Sequence, residues 1–529
     1  MANLLRSILV GSGSSRSSAM RSRAEALLGA LGTLGPPSEP SDASDRPSPG
    51  DIVTAMSNIL DSGRPELCWL AVSVMSARLP DVGDVEHLSR EIRKGGDPTD
   101  ILVRAADRGG ALDTDTHKTV SVYRGRVLVD VDRTSRTPLG TGIQRVVRQA
   151  ARRWARHPET ALVGWTDTFD ALRPLTEAQC SVALGDPSRP QASDAHPDAA
   201  TDVIVPWRST LIVPELAVEM ARPAAIGTVA RFARGSTCVI GYDCVPLTMP
   251  ETSIDGMSSD YLRYLAACAH VTRIAAISDT AALEFKAWRS TLASRGLQGP
   301  GIETVELALE APAPAPSASD VADAGRLLGG HGLPVVLVVG SHEPRKNHLA
   351  VLHAAELLWR QGERFELSFV GGDSWKSGAF FERLQDLQGS GRPLQALSAI
   401  SDRLVWAAYR VASCSVFVSL HEGFGLPIVE SLAAGTPVVT SNYGAMADNA
   451  RHGGCLLVDP RDPAAIASAI RRLLSDSQLA ETLRRQARAA PTRTWDTYAE
   501  EAWDFLVDGK PPRSDVGIQL SSPGGGDAR

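Results

Sequence analysis

Residues 421–439 read HEGFGLPIVESLAAGTPVV, and how this stretch folds decides the architecture of the chain. Before it, SCSVFVSL (413–420) is an apolar run of strand length. Gly423 and Gly425 then allow a tight turn and close backbone approach to a ligand. Pro427 suits the first turn of a helix, while Gly435 and Pro437 end it, and PVVTS (437–441) opens another strand. Strand, glycine turn, helix, strand is the repeating unit of a parallel sheet. In such a unit the helix N-terminus faces the ligand edge, where its free N–H groups and positive dipole end suit an anion such as a diphosphate. Glu422 and Glu430 flank this turn. The dipole alone accounts for a carboxylate near a helix start, at about 0.3–1 kcal/mol. Glu430, however, lies among Ile428, Val429, Leu432, Ala433 and Ala434. A carboxylate on so apolar a helix needs a partner, and sugar or ribose hydroxyls are suitable donors.

Upstream, PVVLVVGS (334–341) is a buried-strand signal that runs into GSHEPRKNH (340–348) and then the helix LAVLHAAELLWRQG (349–362). Arg345 and Lys346 stand at this strand–helix junction. Either they are a solvated basic pair, or they clamp phosphate, Arg by its planar fork and Lys as a point charge. FELSFVGG, CSVFVSL, PVVTS and GCLLVD, with helices between and after them, complete one alternating unit. A second unit lies earlier. GRVLVDVD (125–132) leads through the loop RTPLGTG (136–142) into the helix IQRVVRQAARRWARH (143–157). Strands at ATDVIVP, STLIVP, STCVIGYD and VTRIAAIS follow. The fold class is therefore α/β, two doubly wound Rossmann-like domains facing across a cleft, plus an N-terminal helical extension. Gly140 and Gly142 open the first helix of the first domain, but the full dinucleotide fingerprint is absent. Asp130 and Asp132 alternate along a strand; metal binding is one reading, and Asp132 as a turn cap is favoured.

The expected divisions are a disordered tail and linker at 1–50, a helical accessory region at 51–115, the first domain at 120–310, an interdomain linker at 311–333, the second domain at 334–492, and a disordered tail at 509–529. The chain has 529 residues, enough for about three or four domains. A net charge of -7 gives no basic field for nucleic acid. Seven scattered cysteines without CxxC spacing argue against a disulfide framework or a zinc site, and fit a reducing cytoplasm. No apolar run approaches the roughly 20 residues of a membrane helix. The five arginines of IQRVVRQAARRWARH have two readings: a solvated face, or a surface that docks on an anionic membrane.

EGFGLPIVESLAAGTPVV is similar to the signature of the retaining family-4 glycosyltransferases of the GT-B fold, whose hallmark is two glutamates separated by seven residues, here Glu422 and Glu430. GSHEPRKN resembles the donor-phosphate loop of that family, above all in its bacterial mannosyltransferase-like and rhamnosyltransferase-like branch. TGIQRVVR and YDCVPLTMPET match the same branch on the acceptor side, and AAISDTAALEF a serine-containing strand end. TRTWDTYAEEAWDFL resembles the helix, placed at 493–508, that crosses back to the first domain. The resemblance covers about 120–508 and leaves residues 1–110 unread.

This resemblance implies a nucleotide-diphosphate sugar as co-substrate, no further cofactor and no metal. Glu422, Arg345 and Lys346 would be the catalytic residues. Glu430, with Gly423, Phe424, Gly425, Leu426 and Ser341, would bind the donor. Gly140, Gly142, Arg145, Tyr242 and Asp243 would form the acceptor-side loops. Where relatives carry His-Asp this chain has Tyr242-Asp243, and where they carry an arginine after the loop glycine it has Ser341. The acceptor would be a hydroxyl of a growing surface polysaccharide or lipid-linked glycan, reached in the cytoplasm or peripherally at the inner membrane. A non-catalytic nucleotide-sugar-binding scaffold and a nucleotide-sugar epimerase of the same fold are the alternatives.

Overall fold

The computed structural model describes residues 4–10, 15–32, 47–107, 115–137, 140–185, 202–308, 310, 315–329 and 332–512. Short β-branched runs make its strands. In the first domain these are β1 (Thr119–Arg124), β2 (Val127–Asp130), β3 (Thr160–Trp165), β4 (Leu172–Pro174), β5 (Asp202–Trp207), β6 (Thr210–Val213), β7 (Ser236–Gly241), β8 (Arg273–Ala276) and β9 (Gly301–Thr304). They form one nine-stranded sheet in the order β1-β5-β4-β3-β2-β6-β7-β8-β9. All neighbours are parallel except at β4, which runs antiparallel to β3 and β5. The expected wholly parallel sheet is corrected there. The short connection 166–171 between β3 and β4 holds no crossover helix, as an antiparallel pair allows.

The second domain has β10 (Val335–Val339), β11 (Glu366–Val370), β12 (Leu394–Leu397), β13 (Cys414–Phe417), β14 (Val438–Ser441) and β15 (Cys455–Val458). They form a wholly parallel sheet in the order β12-β11-β10-β13-β14-β15. Helices cover both faces, so β11 and β13 are buried at every residue, as a parallel sheet requires. The strand order reverses at β10 and β13. The loops after these two strands therefore open on a crevice, where open α/β sheets bind ligands.

Two divisions differ from expectation. Within 1–50, Leu4–Val10 and Ser15–Leu31 are helices, and Leu5, Leu9, Met20, Ala24, Leu27 and Leu28 are buried in the first domain's core. Arg23 crosses the packing and donates to the carbonyls of Met75, Asp115 and Lys118. The second of these helices is polar in composition, and its large apolar residues Met20, Leu27 and Leu28 are buried. Four more helices, Pro49–Leu60, Pro65–Ser76, Val82–Arg93 and Pro98–Ala106, share that core, so the extension is fused to the first domain rather than set apart. Within 311–333, Ala318–Leu328 is a helix. Ser317 caps it, and its buried Ala324 and Leu328 face the second domain. Residues 33–46 of the first linker and 513–529 of the tail lie outside the described residues. The helix Trp495–Leu506 packs on the first domain: Trp154 Nε1 donates to Ala499 O at 2.9 Å, and Arg273 Nη1 to Leu506 O at 2.8 Å.

Candidate functional site: two glutamates on a cleft between sheets

Contacts across the cleft show that the carboxyl ends of the two sheets meet. After β13 the chain turns at Gly423 with almost no room: a Cβ there would lie 2.2 Å from Tyr242 O. Ser278 Oγ, at the end of β8, donates to Gly423 O at 2.5 Å. Gly425 has φ 95°, a left-handed conformation that favours glycine, and it starts the helix Leu426–Ala433 with no side-chain cap. No side chain caps the N–H of Leu426, while Pro427 has none and Ile428 N donates to Gly425 O at 3.0 Å. Phe424 and Val429 are buried in the first domain's core, with Leu426 packed against it. Ile428 and Leu432 pack on the other side, within the second domain, so the helix bearing Glu430 is apolar on both faces. Asn449 Nδ2 donates to Phe424 O at 2.5 Å and fixes the turn from below.

Glu422 is buried and caged by cations. Lys346 Nζ stands 2.6 Å from its Oε1, and Arg345 Nη1 2.6 Å from its Oε2. Burial alone would raise its pKa, but Arg345 and Lys346 outweigh burial and hold it down at about 2. Arg345 also donates to His421 O at 2.6 Å and pairs with Glu343. Its guanidinium thus ties the loop after β10 to the loop after β13. Ser341, half-buried, follows Gly340 at the end of β10. The backbone there is locked against the loop after β11, through Gly340 N to Val370 O at 2.9 Å and His342 N to Gly372 O at 3.0 Å.

Glu430 is the fifth residue of its helix and is held from both domains. Arg145, from helix Gly142–Trp154, pairs with Oε1, while Tyr409 Oη donates to Oε2 at 3.1 Å. Gly142 sits beside the glycine turn, with its Cβ position 3.4 Å from Leu426 Cδ1. Gly140 is exposed at the mouth of the same loop. Tyr242 turns inward and donates to Pro214 O at 2.6 Å. Asp243 is half-buried beside Gly423. Burial pushes its pKa up against the pull of Arg345, and its Oδ1 accepts from Val245 N at 3.2 Å. The residues singled out in the sequence thus gather at one cleft, except that the hydroxyl of Tyr242 faces the core.

Three participants are not visible in the sequence. His421 Nε2 lies 2.6 Å from Glu284 Oε1 of the first domain, and Glu284 Oε2 accepts from Cys244 N at 2.7 Å. The third is Tyr409. His421 neighbours Glu422 in the chain and could have been flagged; Glu284 and Tyr409 sit in ordinary helical patterns and carry no local signal. The arginine helix is largely committed to the chain itself. Arg148 donates to Thr137 O, Arg152 to Leu184 O and Gly185 O, and Arg153 pairs with Asp496. Asp130 and Asp132 are likewise taken, by Arg222 and Arg136. Among the described residues no group of three or more His, Cys, Asp or Glu could hold a metal ion, and no helix is long and apolar enough to cross a membrane.

Comparison with known proteins agrees with this geometry. The family described as Glycosyl transferases group 1 matches residues 327–490. The serotype-specific mannosyltransferase WbdA of Escherichia coli is 31% identical over 234 residues, 43% of this chain and 28% of that protein. A D-inositol 3-phosphate glycosyltransferase of Acidothermus cellulolyticus is 39% identical over 191 residues, 34% of this chain and 42% of that protein. The chain thus spans well under half the length of these relatives. HepE of Anabaena, solved with UDP and glucose, superposes with a TM-score of 0.53 at 14% identity, over 72% of this chain and 99% of its own. Residues 327–490 thus match the model of the group 1 glycosyl transferases, and the chain shares the two-domain GT-B fold.

Proposed function

We propose that this protein transfers a sugar, mannose or rhamnose by preference, from a nucleoside diphosphate donor to a hydroxyl of a growing surface polysaccharide or lipid-linked glycan. The observation that carries the reading is the placement of Glu422 and Glu430 on either side of an uncapped helix start, with Lys346 and Arg345 against the first. Mannose is favoured because WbdA and an O-antigen chain mannosyltransferase B of Escherichia coli, 33% identical over 146 residues, are among the relatives.

In this reading Glu430 accepts from the ribose hydroxyls and Glu422 from hydroxyls of the donor sugar near its reacting face. The N–H groups around Phe424, Gly425 and Leu426 take the phosphates. Lys346, with Arg345 behind it, offsets the charge that grows on the departing diphosphate. The bond from the anomeric carbon to phosphate oxygen breaks, and the acceptor oxygen bonds to the same face. The acceptor proton passes to the departing phosphate oxygen, so configuration is retained without a covalent enzyme intermediate. We place the acceptor at Gly140, Gly142 and Asp243, on the cytoplasmic side of the inner membrane. Peripheral contact with an anionic membrane gains little from the arginine helix, whose arginines are mostly committed to internal contacts.

Purified protein incubated with nucleotide-sugars and a glycan acceptor should extend the acceptor. Glu422→Gln should lower turnover on the order of 10²–10³-fold while the protein stays folded. Near-normal transfer by the variant would sink the assignment, and epimerised donor without transfer would favour an epimerase. Because cationic side chains and a helix end meet the phosphates, activity should survive EDTA. Complete loss that magnesium or manganese restores would overturn that part.

A further inference from the structure

Glu430 receives one donor on each oxygen, and the two donors come from different domains. Tyr409, on helix Asp402–Val411 of the second domain, is fully buried and donates to Oε2 at 3.1 Å. Arg145, of the first domain, pairs with Oε1. Its other terminal nitrogen lies 3.9 Å from the exposed Asp402. A carboxylate has about four lone-pair sites, two on each oxygen. One donor per oxygen leaves one site per oxygen, a matched pair separated by the width of the carboxylate. Two adjacent hydroxyls on one ring present donors in that arrangement; a single hydroxyl uses only half of it. The orientation of the pair is set by Arg145 and Tyr409, the two side chains that bond the buried Glu430 carboxylate.

We propose that Arg145 and Tyr409 are positioning residues that aim Glu430 at a vicinal diol, and that Arg145 makes this aim depend on the two domains being closed on each other. The inference rests on reading Glu430 as the ribose contact. It adds a specificity, ribose over 2′-deoxyribose, and a coupling between that specificity and the first domain.

The test uses the full chain and compares UDP, GDP and ADP with their 2′-deoxy counterparts by calorimetry. The wild type should bind at least one ribonucleotide on the order of 10-fold more tightly than its deoxy form. Arg145→Met and Tyr409→Phe should each bring the two forms close to parity, and Arg145→Lys should recover part of the preference. Arg145→Met added to Glu430→Gln should change the preference no further, because the first acts through the second. A change of fold alone would weaken both forms alike and leave the ratio intact. An unchanged ratio in Arg145→Met and Tyr409→Phe, alongside a lost ratio in Glu430→Gln, overturns the positioning role and spares the ribose reading. A ratio that survives Glu430→Gln, or failure of the wild type to bind any of the six, overturns both.

Discussion

Each sheet carries an ionic cluster at its carboxyl edge, and the two are built differently. In the first domain Arg222 lies 2.9 Å from Asp130 Oδ1 and 2.7 Å from Glu215 Oε2, with Glu219 at 3.3 Å. Trp165 Nε1 donates to Asp130 at 2.6 Å, and the N–H groups of Arg133 and Thr134 donate to Glu215. Arg222 and Asp130 have no exposed side-chain surface. In the second domain Glu422 meets two cations, Lys346 and the Arg345 that also pairs with Glu343, and Arg345 and Lys346 keep 15% and 12% of their side-chain surface. The sealed cluster has more carboxylates than cations, and burial with the neighbouring carboxylates pushes Asp130 up to about 6 despite Arg222. The open cluster has cations enough to pull its carboxylate down. Charge balance and residual exposure, more than position in the sheet, separate a strut from a site.

The largest expected effect lies in the sealed cluster. Arg222→Met leaves Asp130 and Glu215 buried without their cation, at a cost of about 3–5 kcal/mol. Denaturant unfolding should show that loss, while the folded fraction binds nucleoside diphosphate as before. Should the full-length variant not accumulate, Asp130→Asn gives a milder version of the same comparison. A stable variant that binds nucleotide poorly would move this cluster from strut to site.

Next comes the open cluster. Lys346→Ala should weaken nucleoside diphosphate binding by about 1.5–3 kcal/mol, as expected for a hydrogen bond to a charged group, and leave nucleoside binding nearly unchanged. Calorimetry with matched pairs of ligands measures the difference. Equal losses for both would mean that Lys346 acts only by holding Glu422.

This contrast was only half legible in the sequence. The second domain declared itself because both strand-end loops are contiguous: Glu422, Gly423 and Gly425 lie on one, Arg345 and Lys346 on the other. The Arg222 cluster joins residues 92 and 7 positions apart along the chain. No local pattern distinguishes Arg222 from a surface arginine at a helix start. The same holds for Arg145, read from sequence as part of an acceptor-side loop, whose partner Glu430 is 285 residues away. Short strands escaped for another reason. β1, β4 and β12 are half-buried or very short and lack the continuous apolar run that marks β10 or β13. The helix Ser15–Leu31 reads as a polar tail until Arg23 is seen bonding carbonyls far along the chain.

The smallest effect tests how the two domains are joined beside the open cluster. His421 faces Glu284 of the first domain, the half-buried Asp243 after β7, and Arg345 after β10. Burial lowers its pKa, but the hydrogen bond and charge of Glu284, with Asp243, raise it further than burial and Arg345 lower it. A histidine raised in the folded state adds stability that is fully present below its unfolded value of 6.5 and fades as pH rises through the folded value. Glu422 behaves in the opposite sense: its contribution is complete above the ordinary carboxylate value and fades only as pH falls toward about 2. Between pH 6 and pH 8, therefore, the contribution of Glu422 stays constant while that of the cross-domain pair falls. The stability difference between wild type and His421→Gln should be larger at pH 6 than at pH 8, by about 0.2–1 kcal/mol for a partly exposed pair. Glu284→Gln should erase that pH dependence, whereas Lys346→Ala should leave it in place. A wild type whose advantage over His421→Gln grows with pH would reverse the assigned direction and remove this pair as a link between the domains.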